Sequence, residues 1–202
     1  MKHPYRGLVA AAALFAACAA QADTLVNIQG YGADGAGANI YGYPVAPGTI
    51  VSLFNPVLVD LKAGDYLISD AWGQPGALYD AWNFQTSAAG SWAAHYVAAA
   101  VLPDGGYSVL LDASEAGDPS CKNHFCAWDT EQQASDQFLA TAPFKLHLDH
   151  DTTVAFVSAD YDLGDNAGGM SLAITSAVPE PAGALLLAAG LVGLRLRARR
   201  TR

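Results

Sequence analysis

Residues 144–158 read FKLHLDHDTTVAFVS, and their pattern decides the fold class. Phe144, Leu146 and Leu148 alternate with Lys145, His147 and Asp149, so a strand over Phe144–Leu148 turns one face to a core and the other to water. The Asp-rich turn that follows gives way to Thr153–Ser158, whose β-branched and aromatic residues suit a pleated, half-buried surface. Met170–Thr175 repeats the device.

Outward from this stretch, β-branched and aromatic runs are cut by Gly, Pro, Asp and Asn roughly every 8 to 15 residues, as in antiparallel sandwiches and barrels. Further strands are predicted over Leu25–Ile28, Ile50–Phe54, Val57–Leu61, Asp65–Asp70, Trp82–Gln85, Ala94–Val101 and Tyr107–Leu111. Helical periodicity is poor and no internal repeat is visible. The predicted class is all-β: a single antiparallel β-sandwich, jelly-roll-like, flanked by an N-terminal signal helix and a C-terminal hydrophobic transmembrane helix. LKAGD at 61–65 and LPDGG at 102–106 carry hairpin chemistry. The Gly- and Tyr-rich stretch between Gly30 and Gly48 reads as an ordered surface loop, with no lysine or helix start to make it a phosphate cradle.

The two ends are of a different kind. Residues 1–22, MKHPYRGLVAAAALFAACAAQA, have a basic head, an apolar run and a small-residue ending at Ala20-Gln21-Ala22, the build of a signal peptide cleaved between Ala22 and Asp23. Phe15-Ala16-Ala17-Cys18 also looks like a lipoprotein cleavage box, so lipidation of Cys18 stands beside that reading.

Residues 178–202 read VPEPAGALLLAAGLVGLRLRARRTR. Pro181–Leu194 carries no charge, and as a helix its fourteen residues would rise about 21 Å, short of the roughly 30 Å hydrocarbon core. Arg195 and Arg197 lengthen it, because their stems lie in apolar surroundings while the guanidinium groups reach the headgroups. The five tail arginines, with Arg199, Arg200 and Arg202, hold this end on the cytoplasmic side, so everything between the two ends lies outside the cytoplasm.

Val178-Pro179-Glu180-Pro181, the apolar run and the arginine cluster, in that order, resemble the PEP-CTERM sorting signal of exported bacterial proteins. The resemblance covers only these last 25 residues. It implies an exosortase-type processing enzyme as partner, contact with membrane lipid through the helix, and delivery to the cell surface or an exopolysaccharide matrix. Proline fixes its own backbone and extends the residue before it, which suits a processing site. The expected organisation is a signal peptide over 1–22, an extracytoplasmic domain over 23–178 and a sorting signal over 179–202.

The middle is one domain's worth of chain, large enough to bury roughly two-thirds of its unfolded surface. It has three bases, Lys62, Lys122 and Lys145, against eighteen acids, a net charge of −15. Such a body repels phosphate backbones, which excludes nucleic acid as a partner. Sixteen of the acids are Asp, the shorter carboxylate of turns and oxygen-ligand loops. Cys121 and Cys126, an even pair in an exported setting, are expected to form a disulfide. A metal reading with His124 lacks two further soft ligands.

Residues 160–174, DYDLGDNAGGMSLAI, crowd Asp160, Asp162, Asp165 and Asn166 into a Gly-rich loop ahead of a strand, which suits a hard cation such as calcium. The segment resembles the Asn-Asn-x-Gly loop of the small calcium-dependent galactophilic lectins of bacteria. Asp165 and Asn166 stand at the paired positions, Asp162 upstream and Gly168 at the glycine; LKAGDYLISDAWG is similar to their central strand. The resemblance implies a jelly roll whose calcium binds sugar hydroxyls. It departs at Ser158, where another acid is expected, and in lacking a His-Gln pair for the sugar. A plain turn uses the same letters, since Asn and Gly tolerate the left-handed region.

His147, Asp149 and Asp151 alternate with His150 opposite, and read either as a zinc or nickel site or as a polar strand face. Trp72, Tyr79, Trp82, Phe84, Trp92 and Tyr96 read either as core or as a platform for sugar rings. No Gly-x-Ser-x-Gly, His-Glu-x-x-His or phosphate loop occurs, and no catalytic residue is assigned. The expected role is non-catalytic binding or scaffolding with exopolysaccharide; the alternative is a secreted hydrolase acting on polysaccharide through two carboxylates.

Overall fold

The computed structural model describes residues 23–39, 45–113, 127–160 and 162–177. The signal and sorting segments and both cysteines of the expected disulfide lie outside them. Asp23–Ala177 forms one compact unit.

The described residues fold into two antiparallel sheets and one short helix, an all-β architecture. The first sheet contains β1 (Thr24–Gln29), β5 (Gly64–Asp70), β6 (Trp82–Asn83), β7 (Trp92–Ala93), β10 (Phe144–Leu148) and β12 (Ala167–Ser176). They run in the order β10-β5-β12-β6-β7, with β1 also on β12. The second follows the order β2 (Gly37–Asn39), β3 (Ile50–Phe54), β9 (Tyr107–Asp112), β8 (Tyr96–Val101), β11 (Thr152–Ser158) and β4 (Val57–Leu61).

Residues 144–158 span both sheets. Leu146 and Leu148 are buried on β10 while Lys145 and His147 are exposed, as the alternation requires. β10 pairs with β5 in one sheet, and beyond the turn β11 pairs with β4 in the other. β4 and β5 are themselves joined at 61–64, so a two-stranded ribbon bends at one place and contributes to both sheets. Asp151 ties the two bends together, accepting from Lys62 Nζ at 2.7 Å and from the Ala63 amide at 3.0 Å. LKAGD is therefore a corner between sheets and not the hairpin expected. The expected hairpin at LPDGG does form, joining β8 and β9.

One buried cluster draws on both sheets, with Val26, Ile28, Ile68, Leu146 and Leu172 from the first and Val97, Val109, Val154 and Phe156 from the second. Tyr96 centres its aromatic part, with Phe144 edge-on at 5.8 Å and Phe138 and Phe156 each at 6.4 Å. Such edge contacts add to the area these rings bury.

Two further expectations fail. Residues 35–38 are buried in place of the surface loop expected from Gly30 onward, and Ala36 and Ala38 join the core. Small side chains make this close packing feasible: a Cβ on Gly37 would lie 2.6 Å from the Phe54 ring and 2.8 Å from the Asp160 carbonyl. The segment is fastened to the end of β11 through Ser158 N to Ala36 O (2.9 Å) and Ala38 N to Asp160 O (2.9 Å). The second is α1 (Glu131–Ala140), where no helix was foreseen. Thr130 and Gln133 form a reciprocal capping box that satisfies two donors of the first turn, and Ala134, Ser135 and Phe138 are buried. Among the described residues no helix is long and apolar enough to cross a membrane.

Candidate functional site

The loop ahead of β12 is built by its own side chains. The Asp162 amide donates to Asp160 Oδ1 at 3.3 Å and the Gly164 amide to Asp162 Oδ1 at 3.0 Å, the local turns that short carboxylates favour. Gly32 N donates to Leu163 O at 2.8 Å, joining the loop to residues 30–36. The Asp165 carbonyl accepts from the Thr86 amide at 2.8 Å and from its hydroxyl at 2.9 Å.

Asn166 is the buried member, and its Nδ2 donates to Gly30 O and to Asp160 Oδ2, both at 2.9 Å. Its Oδ1 is buried without a hydrogen-bond partner. Thus an N–H₂ group sits between two oxygens where a cation would otherwise draw them together. Rotating the amide by half a turn would present Asn166 Oδ1 beside Gly30 O and Asp160 Oδ2, three oxygens of the type calcium takes. The loop does not gather its carboxylates in the arrangement described: no three His, Cys, Asp or Glu side chains among the described residues converge to hold a metal. Ser158, where the lectin resemblance leads one to expect an acid, is fully buried and donates its hydroxyl to Ala36 O at 2.7 Å.

The alternating acids near β10 are separately partnered. His147 faces Asp65 across the β5–β10 register, Nδ1 to Oδ1 at 2.6 Å, and its Nε2 lies 3.2 Å from Asp149 Oδ1. Hydrogen bonding to Asp65, then to Asp149, raises the imidazole pKa. Both ring nitrogens meet carboxylates and Asp151 meets Lys62, so the zinc or nickel reading gains no support from the geometry.

The aromatic residues divide. Trp82 and Tyr96 are fully buried. Trp82 donates from Nε1 to His95 O at 3.3 Å and has the His95 ring edge-on at 5.3 Å. Burial keeps His95 neutral, its pKa down at about 3, which disqualifies it as an acid or base near neutrality. Trp72 is 44 % exposed on the loop after β5, its amide held by Asp70 Oδ1 at 2.7 Å.

A carboxyl cluster was not foreseen. Burial raises the Asp70 pKa to about 6, with the nearby Asp80 charge adding to the effect. Glu131, at the start of α1, is pushed up to about 7 by partial burial and a hydrogen bond to Asp80. The Asp80 carboxylate beside it adds to burial in favouring the protonated form of Glu131.

At the N-terminal boundary, Asp23 Oδ1 accepts from the Thr175 hydroxyl at 2.7 Å. The other sorting and processing residues, Ala20, Ala22, Val178, Pro179, Glu180, Pro181, Arg195, Arg197, Arg199 and Arg200, lie outside the described residues, as do Cys121 and Cys126. Comparison of the chain with protein-family models, with curated proteins and with solved structures finds no match.

Proposed function

We propose that this is an exported surface or extracellular-matrix protein, delivered by an exosortase-type system, whose body is a non-catalytic binding or structural module associated with exopolysaccharide. The observation that carries the reading is the order of features in the last 25 residues: Pro179-Glu180-Pro181, an uncharged apolar run, then arginines. The acidity of the body agrees with it, since seven of the ten basic residues are kept at the two ends. The bent ribbon of β4–β5 against β10–β11 supports a jelly-roll-like sandwich, a scaffold that presents loops at its ends.

Calcium at the 160–166 loop belongs to the same proposal, with Asp160 Oδ2, Asn166 Oδ1 after rotation, and Gly30 O as the first ligands. Its chemistry there would be to order the loop and offer open coordination positions to hydroxyls. Added calcium is expected to raise the melting temperature of the full chain through mass action, and Asp160→Ala to reduce the rise. An unchanged melting temperature at millimolar calcium would remove this part.

The hydrolase alternative draws on Asp80 and Glu131, the latter with its pKa pushed up to about 7, as suits a general acid. No sequence motif of a hydrolase accompanies the pair, so the binding reading is preferred. Polysaccharide turnover lost in Glu131→Gln would reverse this judgement.

Processing tests the main proposal. In a host carrying an exosortase-type system, the Pro179→Ala, Pro181→Ala double variant is expected to accumulate as membrane-held precursor while the parent reaches the surface. Equal form and amount for both would refute it.

A further inference from the structure

A groove of about 500 Å³ opens beside α1, lined by Ala127, Trp128, Asp129, Gln133, Asp136 and Gln137. This lies within the ~300–1,000 Å³ of small-ligand sites. Its walls follow from local structure. Gln133, Asp136 and Gln137 are spaced three and four apart, so they share one stripe of the helix. Trp128 is fixed from the sheet side by reciprocal backbone bonds with Trp92, Trp92 N to Trp128 O at 3.1 Å and Trp128 N to Trp92 O at 2.8 Å. The indole is half-buried, so it is packed against the body and still reachable.

The polar groups are pre-oriented. Gln133 Oε1 accepts from the Thr130 amide at 3.2 Å, and Asp136 Oδ1 accepts from Gln132 Nε2 at 2.7 Å. These bonds hold both side chains and leave Gln133 Nε2 and Asp136 Oδ2 to meet a ligand, together with Asp129 and the Gln137 amide. An aromatic face beside fixed amides and carboxylates matches a pyranose ring, which has an apolar C–H face and vicinal hydroxyls that both donate and accept. The charged lining side chains are carboxylates alone, so phosphorylated and uronate chains are repelled. A wholly apolar ligand would strip water from Asp129 and Asp136 without replacing its hydrogen bonds.

From this we infer that the Trp128 groove is a subsite for an uncharged pyranose chain, the indole stacking on a ring while Asp129, Asp136 and Gln137 bind its hydroxyls. The inference rests on the polysaccharide-associated reading and names a surface that makes the contact. It is separate from the 160–166 loop and requires no cation.

The test uses the full chain in a non-glycosidic detergent, titrated with cellohexaose, maltohexaose and an oligogalacturonate, and followed by calorimetry and tryptophan fluorescence. One or both uncharged hexasaccharides are expected to bind and the oligogalacturonate not to. Trp128→Ala should weaken binding about tenfold, Gln137→Ala about threefold, and Trp128→Phe should keep most of the affinity. Should Trp128→Ala fail to fold, the loss of affinity in Gln137→Ala carries the test.

The inference is overturned by no binding of either uncharged hexasaccharide at millimolar concentration, or by affinity unchanged in Gln137→Ala and, where it folds, in Trp128→Ala. Binding that needs calcium and is lost in Asp160→Ala but kept in the Trp128 variants would place the sugar at the other loop. That result contradicts this inference and leaves the matrix reading standing.

Discussion

Acids are arranged in opposite ways at the 160–166 loop and at the Asp70, Asp80 and Glu131 cluster. In the loop, the carboxylates of Asp160 and Asp162 each accept a backbone N–H, and the Asn166 amide bridges Asp160 to Gly30. In the cluster the carboxyls meet burial and each other, and two of them titrate well above the ordinary carboxylate range. The same residue types thus stabilise one region and tax another. What separates them is burial and mutual repulsion: Asp70 and Asp80 also accept backbone N–H groups, from Trp72 and Ala81, but Asp70 Oδ2 is buried without a hydrogen-bond partner and Asp80 adds a like charge.

That contrast breaks most sharply at Asn166. Replacing it by Ala removes both bonds from its Nδ2 and leaves a buried backbone carbonyl unsatisfied, so a loss of about 2–3 kcal/mol is expected in urea unfolding. A loss below about 0.5 kcal/mol would mean that water replaces the amide.

Asp70→Asn should act in the other direction. A carboxyl whose folded pKa is raised keeps a proton that the unfolded chain releases, so stability falls as pH rises from about 4 to about 6 and is level above. Removing the charge should recover about 1 kcal/mol at pH 7.5, after allowance for solvent access, and nothing below pH 4. Glu131→Gln should have a smaller effect of the same sign. Because the folded pKa is about 7, urea midpoints of the parent should decline between about pH 5 and pH 7, and the variant should flatten that decline.

The smallest effect belongs to His147, which is exposed and pairs with acids as a cation. Its folded pKa is raised, so its contribution is complete below the ordinary value near 6.5 and is lost as pH climbs through the folded one. Its imidazole titration followed by NMR should have a midpoint above 6.5, and Asp65→Asn should lower it.

Most strands could be read because each carries its own pattern. Ile50–Phe54, Val57–Leu61 and Phe144–Leu148 have the bounds expected from β-branched residues and alternation. The strand Gly37–Asn39 could not be read, since Gly-Ala-Asn has no β-forming side chain and exists as a strand only through its partners. The helix at Glu131–Ala140 has few apolar residues, but Thr130-x-x-Gln133 was a capping-box signal in plain view. The corner at LKAGD looked like a hairpin because turn residues record a reversal without saying which sheet the chain enters next. At the candidate site, the crowding of Asp160, Asp162, Asp165 and Asn166 was visible, whereas the contact of Asn166 with Gly30 depends on the fold. Asp80 and Glu131 are far apart in sequence, and no spacing rule joins them.

The central claim is that both ends of this chain are delivery devices and that the acidic body functions outside the cytoplasm. Mass spectrometry of the protein recovered from the surface or matrix of a host with an exosortase-type system tests it directly. The account expects a polypeptide that begins at Asp23 and has lost the arginine-rich end. An intact chain of 202 residues, recovered from the cytosol with both ends retained, would contradict it.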